Sequence, residues 1–258
     1  MSARAKSRWG ATHRLGLAAL AVVAAAVSVD AGDAGAQTVS PPTIEETALD
    51  LGDGTALRYG IALPAGYDAS ARDPRPLVVS LHPGGSGEYY GSEFMQGIVE
   101  PGLRSWRAVI VAPDVPDRSW ATPRSERAIL ALVRQISATH AIDPTRVLVT
   151  GFSMGGRGTW YMASRHSEVF TGAIVMAGSP DAAEVAGVSI PIFLIHSPSD
   201  EVVPFERAEA AYLALTERGH PVEMRVLPGA GHYTMGAYVG VLRAGGSWML
   251  ARWGAGAR

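Results

Sequence analysis

The chain has 258 residues, of which 47% are hydrophobic and 18% charged, a composition that indicates a folded globular protein and excludes an intrinsically disordered one. The absence of cysteine excludes thiol nucleophiles, thiolate metal sites and disulfides, and the formal net charge of −2 argues against nucleic acid or an anionic membrane surface as the main partner. The only lysine is Lys6, so a Ser-Lys dyad or a P-loop later in the chain is excluded, and any serine nucleophile needs a histidine as its base.

The first 36 residues have the pattern of a secretory signal peptide. A basic start is followed by an apolar stretch over 15–29 and by Ala-Gly-Ala at 34–36, the small-x-small pattern that precedes a cleavage site. The apolar stretch is shorter than the about 20 residues that a membrane-spanning helix needs, so no stable membrane insertion is expected. We predict cleavage before Gln37, a secreted or periplasmic mature chain with 18 Lys+Arg against 22 Asp+Glu, and a short linker over 37–46.

The remainder, 47–258, is predicted to be one α/β domain. A β-hairpin comes first, because apolar residues alternate with period two over 57–63 after the turn signal at 53–54. Apolar runs typical of buried strands then alternate with helical stretches, which favours a mostly parallel sheet with helices on both faces. The predicted strands are Leu77–Leu81, Val109–Ala112, Val147–Thr150, Ala173–Met176, Ile192–Ile195 and Val222–Leu227, and the predicted helices are Glu93–Trp106, Ser125–Thr139, Gly155–Arg165, Glu206–Arg218 and Gly236–Ala251.

The hexapeptide GFSMGG, at 151–156, directly follows one of these predicted strands. Gly151, Ser153 and Gly155 satisfy the pattern G-x-S-x-G, which is typical of a sharp strand-to-helix turn that exposes a serine nucleophile. Glycine would be a steric requirement there, because the residues on either side of the serine press against neighbouring backbone. A plain glycine-rich turn satisfies the same pattern, so the interpretation depends on a base and an acid elsewhere.

His232 and Asp200 are the predicted partners of Ser153. His232 lies in a glycine-rich loop after the last predicted strand, and Asp200 follows the strand Ile192–Ile195, with Glu201 and Asp181 as alternative acids. The order Ser, Asp, His is that of α/β-hydrolases, and each residue follows a strand, where ligands bind in open α/β sheets. The other histidines of the predicted mature chain lie where packing, capping or solvation accounts for them: His82, His140, His166, His196 and His220.

Two backbone amides are predicted to form an oxyanion hole beside the serine. One belongs to Met154. The other belongs to Gly84 in the loop HPGGSG at 82–87, termed the oxyanion loop, with Gly85 as the alternative donor because Pro83 has no N–H. His82 is expected to shape this loop.

Three aromatic residues are candidates for substrate binding by stacking on a ring. Tyr89 and Tyr90 follow the oxyanion loop and Trp120 follows a predicted strand, although simple packing is the alternative for each. Trp160, on the predicted helix after the serine, is expected to be a core residue. Only 177–191 separates two of the predicted strands, which is too few residues for a helical cap, so no large lid and an open pocket are expected.

Across nearly all of residues 47–252 the chain resembles the α/β-hydrolase superfamily, and within it secreted phospholipase/carboxylesterase and polyhydroxybutyrate-depolymerase-like esterases, a set that also includes feruloyl esterases and predicted peptidases. The segments that carry the resemblance are LPAGYD (63–68), LHPGGSG (81–87), DPTRVLVTGFSMGGRGTW (143–160), HSPSDEVVP (196–204) and GAGHYT (229–234). Pro83 departs from the pattern, because many relatives carry glycine there.

The resemblance implies an α/β-hydrolase fold with an antiparallel N-terminal hairpin and no large lid. It also implies a secreted serine hydrolase that cleaves small or polymeric carboxylic esters through Ser153, Asp200 and His232, with no cofactor and no metal. A serine peptidase with the same residues and a non-catalytic binding protein of the same fold are the alternatives.

Overall fold

Eight strands form a single sheet in the computed structural model of the chain, which describes residues 40–69, 73–85 and 87–256. The strands are β1 (Thr43–Asp50), β2 (Ala56–Leu63), β3 (Arg75–Leu81), β4 (Val109–Pro113), β5 (Ile142–Phe152), β6 (Gly172–Met176), β7 (Ile192–His196) and β8 (Val222–Val226). Their order in the sheet is β1-β2-β4-β3-β5-β6-β7-β8. Strands β3 to β8 pair in parallel, so their carboxyl ends meet at one edge of the sheet.

The N-terminal hairpin is confirmed. β1 pairs antiparallel with β2 in a register that runs from Thr43 opposite Leu63 to Asp50 opposite Ala56, and β2 continues antiparallel onto β4. The linker boundary predicted at 46 is wrong, because β1 already begins at Thr43 and its backbone is paired from there. The predicted signal peptide, 1–36, lies outside the described residues.

Helices cover both faces of the sheet. They are α1 (Tyr90–Phe94), α2 (Glu100–Leu103), α3 (Pro123–Thr139), α4 (Met154–Arg165), α5 (Ala182–Gly187), α6 (Phe205–Glu217) and α7 (Tyr238–Gly256). Alternate residues of a strand point to opposite faces, so Val79 and Val149 pack in a core with α3, α4 and α6, whereas Val78 and Leu148 pack in a second core with α2 and α7. This two-sided burial explains why the central strands read as continuous apolar runs.

The helical stretch predicted over Glu93–Trp106 is confirmed, but it is not one regular α-helix. The segment is divided into α1, a π-helical turn at Met95–Val99, α2 and a 3₁₀ turn at Arg104–Trp106. Pro101 lies in the first turn of α2, and its missing N–H removes one bond of a continuous α-helix. The other four predicted helices are confirmed to within a few residues at their ends.

In the parts of the chain that the structure describes, every helix falls short of the length and apolar character that crossing a membrane requires. Between β6 and β7, residues 177–191 hold only the six-residue helix α5. Within the described residues, this segment is too short to form a large lid over the carboxyl ends of β5, β7 and β8.

Candidate active site

The turn between β5 and α4 holds Ser153 in a strained backbone conformation. Its φ of 54° and ψ of −113° lie outside the regions that L-residues ordinarily adopt, so the surrounding contacts must hold it there. One of these contacts is a hydrogen bond of 3.0 Å from the Ser153 N–H to the Met176 carbonyl oxygen at the end of β6. The turn therefore presents the serine hydroxyl at the carboxyl edge of the sheet.

The glycines around Ser153 are required by the close approach of neighbouring backbone. A Cβ at Gly155 would lie 1.9 Å from the Leu81 carbonyl oxygen, and a Cβ at Gly151 would lie 2.5 Å from the Gly155 carbonyl carbon. Because glycine has no side chain, the first turn of α4 can pack directly on the end of β3. The steric interpretation of the G-x-S-x-G pattern is confirmed.

Ser153, His232 and Asp200 lie far apart in the sequence but are joined by two hydrogen bonds. Nε2 of His232 is 2.8 Å from the Ser153 Oγ, and its Nδ1 is 2.8 Å from the Asp200 Oδ2. A carboxylate only accepts hydrogen bonds, so in the neutral imidazole Nδ1 carries the proton and Nε2 is free to accept from the serine hydroxyl. This arrangement can take a proton from Ser153 and hold it on a ring that a carboxylate orients.

Asp200 is fully buried and is fixed by hydrogen bonds on both oxygens. Its Oδ1 accepts from the N–H groups of Val202 at 2.9 Å and Val203 at 2.8 Å, while Oδ2 accepts from His232. Burial alone would raise the pKa of Asp200, but the hydrogen bonds from His232 and the two amides outweigh it and lower the pKa. The carboxylate is thereby kept ionised beside the imidazole.

The two alternative acids lie elsewhere. Glu201 accepts a hydrogen bond of 3.0 Å from the backbone N–H of His232, so it fixes the loop and not the imidazole. Asp181 caps α5 by accepting from the Glu184 N–H at 2.9 Å and also pairs with Arg157. Of the three candidates, the structure brings only Asp200 to the imidazole.

A second histidine, His196, lies behind Asp200. Its Nε2 is 3.0 Å from the Val203 carbonyl oxygen and 3.5 Å from the Asp200 Oδ2, and burial lowers its pKa. The remaining helix-end histidines make other local contacts: His140 with Thr139, His166 with Glu126 and Glu168, and His220 with the Ile190 carbonyl. None of these four contacts Ser153 in the described residues.

The predicted oxyanion donors lie on two segments that pack together. Met154 is the first residue of α4, so its N–H has no acceptor within the helix. Gly84 lies in the exposed loop after β3, and the contact of Gly155 with the Leu81 and His82 carbonyls brings that loop against the start of α4. The arrangement can place two backbone donors beside the serine hydroxyl, and the oxyanion role of both residues stays a prediction.

His82 shapes the oxyanion loop, as predicted. Its Nε2 accepts a hydrogen bond of 3.0 Å from the Val115 N–H, so the proton resides on Nδ1, which lies 2.6 Å from the Pro83 carbonyl oxygen. Burial lowers the pKa of His82 and favours this neutral form. The ring therefore stabilises one conformation of the loop that carries Gly84.

The prediction that Trp120 binds substrate is wrong. Its side chain has no exposed surface, and its Nε1–H donates to the His82 carbonyl oxygen at 2.9 Å. The indole lies so close to Gly158 that a Cβ there would approach the Trp120 Cβ to 2.3 Å. Trp120 instead supports the oxyanion loop from inside the core. Trp160 is also fully buried, as predicted.

Tyr89 and Tyr90 follow the oxyanion loop and are half-buried. The Tyr89 N–H donates to Asp114 at 2.8 Å, and the Tyr90 ring lies edge-on to His82 with 4.9 Å between ring centres. Neither lines the groove described below, and their role in substrate binding stays a prediction.

An open groove of about 390 Å³ lies beside Ser153. It is lined by Ser153, Met154, Arg157, Ser179, Val202, Val203, Pro204 and Arg207. Within 40–69, 73–85 and 87–256, no group of three or more His, Asp or Glu side chains is arranged to hold a metal ion.

One exposed aromatic residue at the site is not among the residues predicted from the sequence. Tyr233 directly follows His232, and its side chain is 78% exposed, with its ring centre 5.5 Å from that of the imidazole. Its position next to the predicted base is the signal that could have drawn attention to it.

Comparisons with known proteins find a hydrolase family and several esterases. The model of the Dienelactone hydrolase family matches residues 117–235, a span that contains Ser153, Asp200 and His232. The chain is 30% identical over 156 residues to "Probable feruloyl esterase C" of Aspergillus flavus, an alignment that covers 57% of this chain and 56% of that protein. The chain therefore spans little more than half the length of this curated relative.

Two solved structures show the same fold. The crystal structure of a thermostable esterase superposes with a TM-score of 0.70 at 24% identity, over 81% of this chain and 62% of that one. An acylaminoacyl peptidase superposes with a TM-score of 0.65 at 16% identity, over 83% of this chain and 42% of that one. By its sheet order, its strand-to-helix serine turn and these similarities, the chain has an α/β-hydrolase fold.

Proposed function

We propose that this protein is a serine hydrolase that cleaves carboxylic esters through an acyl-enzyme on Ser153. The observation that carries the proposal is the unbroken hydrogen-bonded chain from the Ser153 hydroxyl through His232 to the buried, ionised Asp200. A serine hydroxyl is a weak nucleophile at neutral pH, and an oriented imidazole within hydrogen-bond distance is the group that activates it. The feruloyl esterase relative supports an ester as the substrate.

In the first step, the Ser153 Oγ attacks the ester carbonyl carbon while His232 Nε2 takes the hydroxyl proton. The carbonyl oxygen becomes an oxyanion, which the N–H groups of Met154 and Gly84 stabilise by hydrogen bonds. The tetrahedral intermediate then collapses, the bond to the alcohol oxygen breaks, and His232 gives its proton to the leaving alcohol. Asp200 stabilises the imidazolium that exists between these two transfers.

In the second step, water replaces the alcohol. The neutral His232 takes a proton from water as the water oxygen attacks the acyl carbon, and the oxyanion again forms beside the same two amides. Collapse breaks the bond to Ser153 Oγ, which recovers its proton from His232 and releases the carboxylic acid. The cycle uses only groups of this chain and water.

The access to the site supports bulky or polymeric esters as well as small ones. The segment 177–191 has only the short helix α5, and the groove beside Ser153 is open to solvent. A substrate segment can therefore extend beyond the reacting bond without displacing a lid. We further propose that the chain acts after export, because the predicted signal peptide over 1–36 precedes the catalytic domain.

The first test is covalent labelling by a fluorophosphonate probe together with turnover of p-nitrophenyl esters. We expect the wild-type protein to be labelled and to hydrolyse the esters. The Ser153→Ala variant should be neither labelled nor active on the esters. An unlabelled but folded wild type would overturn the proposal and favour a non-catalytic binding protein.

The second test compares an ester with an amide, because a peptidase would use the same three side chains. We expect kcat/KM for a p-nitrophenyl acyl ester to exceed that for the matched peptide anilide by more than the intrinsic difference in their uncatalysed reactivity. Comparable efficiency after that correction would favour the peptidase alternative, whose fold the acylaminoacyl peptidase shares.

A further inference from the structure

The exposed apolar side chains of the described residues are unevenly distributed around the site. Large hydrophobic side chains that remain exposed are Val202, Leu213, Val226, Tyr233 and Leu250. Tyr233 has the largest exposed fraction, 78%, and directly follows His232, while Val202, 49% exposed, lies two residues after Asp200 and lines the groove beside Ser153. Val202 lines the groove itself, whereas Tyr233 lies outside that lining and is singled out by the contact of its ring with the imidazole.

Tyr233 is held against the outer side of the imidazole. The two ring planes are nearly perpendicular, at 87°, with 5.5 Å between their centres, whereas Phe152 contacts the same imidazole from the core at 5.0 Å. The backbone that carries Tyr233 is fixed by a hydrogen bond of 3.0 Å from the His232 N–H to Glu201 and by one of 3.1 Å from the Thr234 N–H to the Gly231 carbonyl. Tyr233 is therefore an exposed ring on an anchored turn.

We propose that Tyr233 is a specificity-determining residue that stacks against an aryl ring in the alcohol part of the ester. This inference rests on the proposed function, because it assigns a place to the leaving group. The imidazole must contact the alcohol oxygen in order to protonate it, so the alcohol part lies next to His232. Of the two aromatic rings that contact this imidazole in the described residues, Phe152 is buried and Tyr233 is exposed.

The chemistry of the residue selects a flat aromatic partner. Tyrosine presents a large rigid face at small cost in side-chain entropy, and aromatic pairs in offset or edge-to-face contact are more favourable than the buried area alone predicts. A saturated ring of the same size lacks the matching face. Tyr233 therefore discriminates between an aryl and a saturated leaving group.

The experiment uses benzyl acetate and cyclohexylmethyl acetate, which share the acyl group and have leaving alcohols of similar size. Wild type is compared with Tyr233→Ala, with Tyr233→Phe, which keeps the ring, and with Leu213→Ala, which removes a side chain that is 58% exposed on α6 and does not line the groove. For Tyr233→Ala we expect kcat/KM to fall about tenfold for benzyl acetate. The fall for cyclohexylmethyl acetate should stay below about twofold, and the Phe and Leu213→Ala variants should match wild type.

Three results would overturn the inference. An equal loss on both acetates, with a matching loss in the rate of fluorophosphonate labelling, would show that Tyr233 only positions His232. No loss on either acetate would show that the ring makes no contact with substrate. Methyl 3-phenylpropanoate, which carries its ring in the acyl part, is assayed as a third ester. A loss confined to this ester would show that Tyr233 contacts the acyl part and not the alcohol part. If wild type is neither labelled nor active, the proposed function fails, which is distinct from these results.

Discussion

The Asp200→Asn variant tests whether the buried carboxylate controls the protonation of the imidazole. The amide oxygen of asparagine can replace Oδ1 and keep the hydrogen bonds from Val202 and Val203, because an amide oxygen accepts from N–H groups as a carboxylate oxygen does. The amide NH₂ then occupies the position of Oδ2, 2.8 Å from the His232 Nδ1. A donor at that position forces Nδ1 to become an acceptor.

The consequence is the wrong tautomer of His232. The single proton of the neutral ring moves to Nε2, which faces the Ser153 hydroxyl and can no longer accept its proton. The variant also loses the negative charge that stabilises the imidazolium. Replacements of this kind in serine hydrolases lower kcat by about 10⁴, so we expect a loss of that order, equivalent to about 5.5 kcal/mol of transition-state stabilisation.

The assay is kcat and KM for a p-nitrophenyl ester at neutral pH, with Glu201→Gln as the matched control. Glu201 is the neighbouring carboxylate, but it accepts from the His232 backbone N–H, a bond that glutamine preserves. We expect Glu201→Gln to retain kcat within about fivefold of wild type, the cost of weakening one charge-assisted bond. If Asp200→Asn keeps more than a tenth of the wild-type kcat, or if the two variants lose equally, the assignment of Asp200 is refuted.

Wild type and Asp200→Asn are also expected to differ in how their stability depends on pH. The pKa of Asp200 is lowered in the folded state, so its ionised form contributes stability that is fully present above the unfolded pKa of about 3.9 and is lost as pH falls through the folded value. The Asn variant lacks this titration. Urea unfolding should therefore show that wild type loses stability relative to Asp200→Asn as the pH falls below about 4, and parallel curves would contradict the lowered pKa.

Three further predictions follow from packing and processing. Gly155→Ala should lower the free energy of unfolding in urea by at least about 3 kcal/mol, since its Cβ would meet the Leu81 carbonyl oxygen at 1.9 Å. The control Gly240→Ala, in α7 with open space around it, should raise the free energy of unfolding by about 0.5–1 kcal/mol. Trp120→Phe should cost about 1–2 kcal/mol and lower kcat/KM several-fold, because the oxyanion loop loses a hydrogen bond. N-terminal sequencing of the exported protein should begin at Gln37, and retention of 1–36 would contradict the proposed signal.

The parallel strands could be predicted from the sequence because two cores bury both of their faces. Continuous apolar runs located β3, β4, β6 and β7 to within two residues. The edge strand β8 was located to within one residue although it alternates apolar residues with Glu223 and Arg225. β5 is the exception, since it runs from Ile142 although its continuous apolar run begins at Val147. Its first residues are partly exposed and pair with β3 only at Arg75, so they carry no hydrophobic pattern to recognise.

The order of the three polar residues could also be predicted, because it follows from chain topology. Ser153, Asp200 and His232 each come after a parallel strand, and parallel strands deliver their carboxyl ends to the same edge of the sheet. Distance along the chain is therefore no obstacle to recognising them. The choice of Asp200 over Glu201 is finer, since it depends on which carboxylate the turn directs at the imidazole and which at the peptide N–H.

The exposure of the aromatic residues could not be predicted, because partners remote in sequence determine it. Trp120 is buried since Gly158 leaves room for its indole and the His82 carbonyl accepts its N–H, and no local pattern around position 120 encodes either contact. Tyr233 is exposed although it adjoins the buried Asp200–His232 pair, and Phe152 occupies the inner side of the imidazole. The proposed contact between Tyr233 and the leaving group depends on this arrangement, because it leaves the tyrosine ring exposed beside His232.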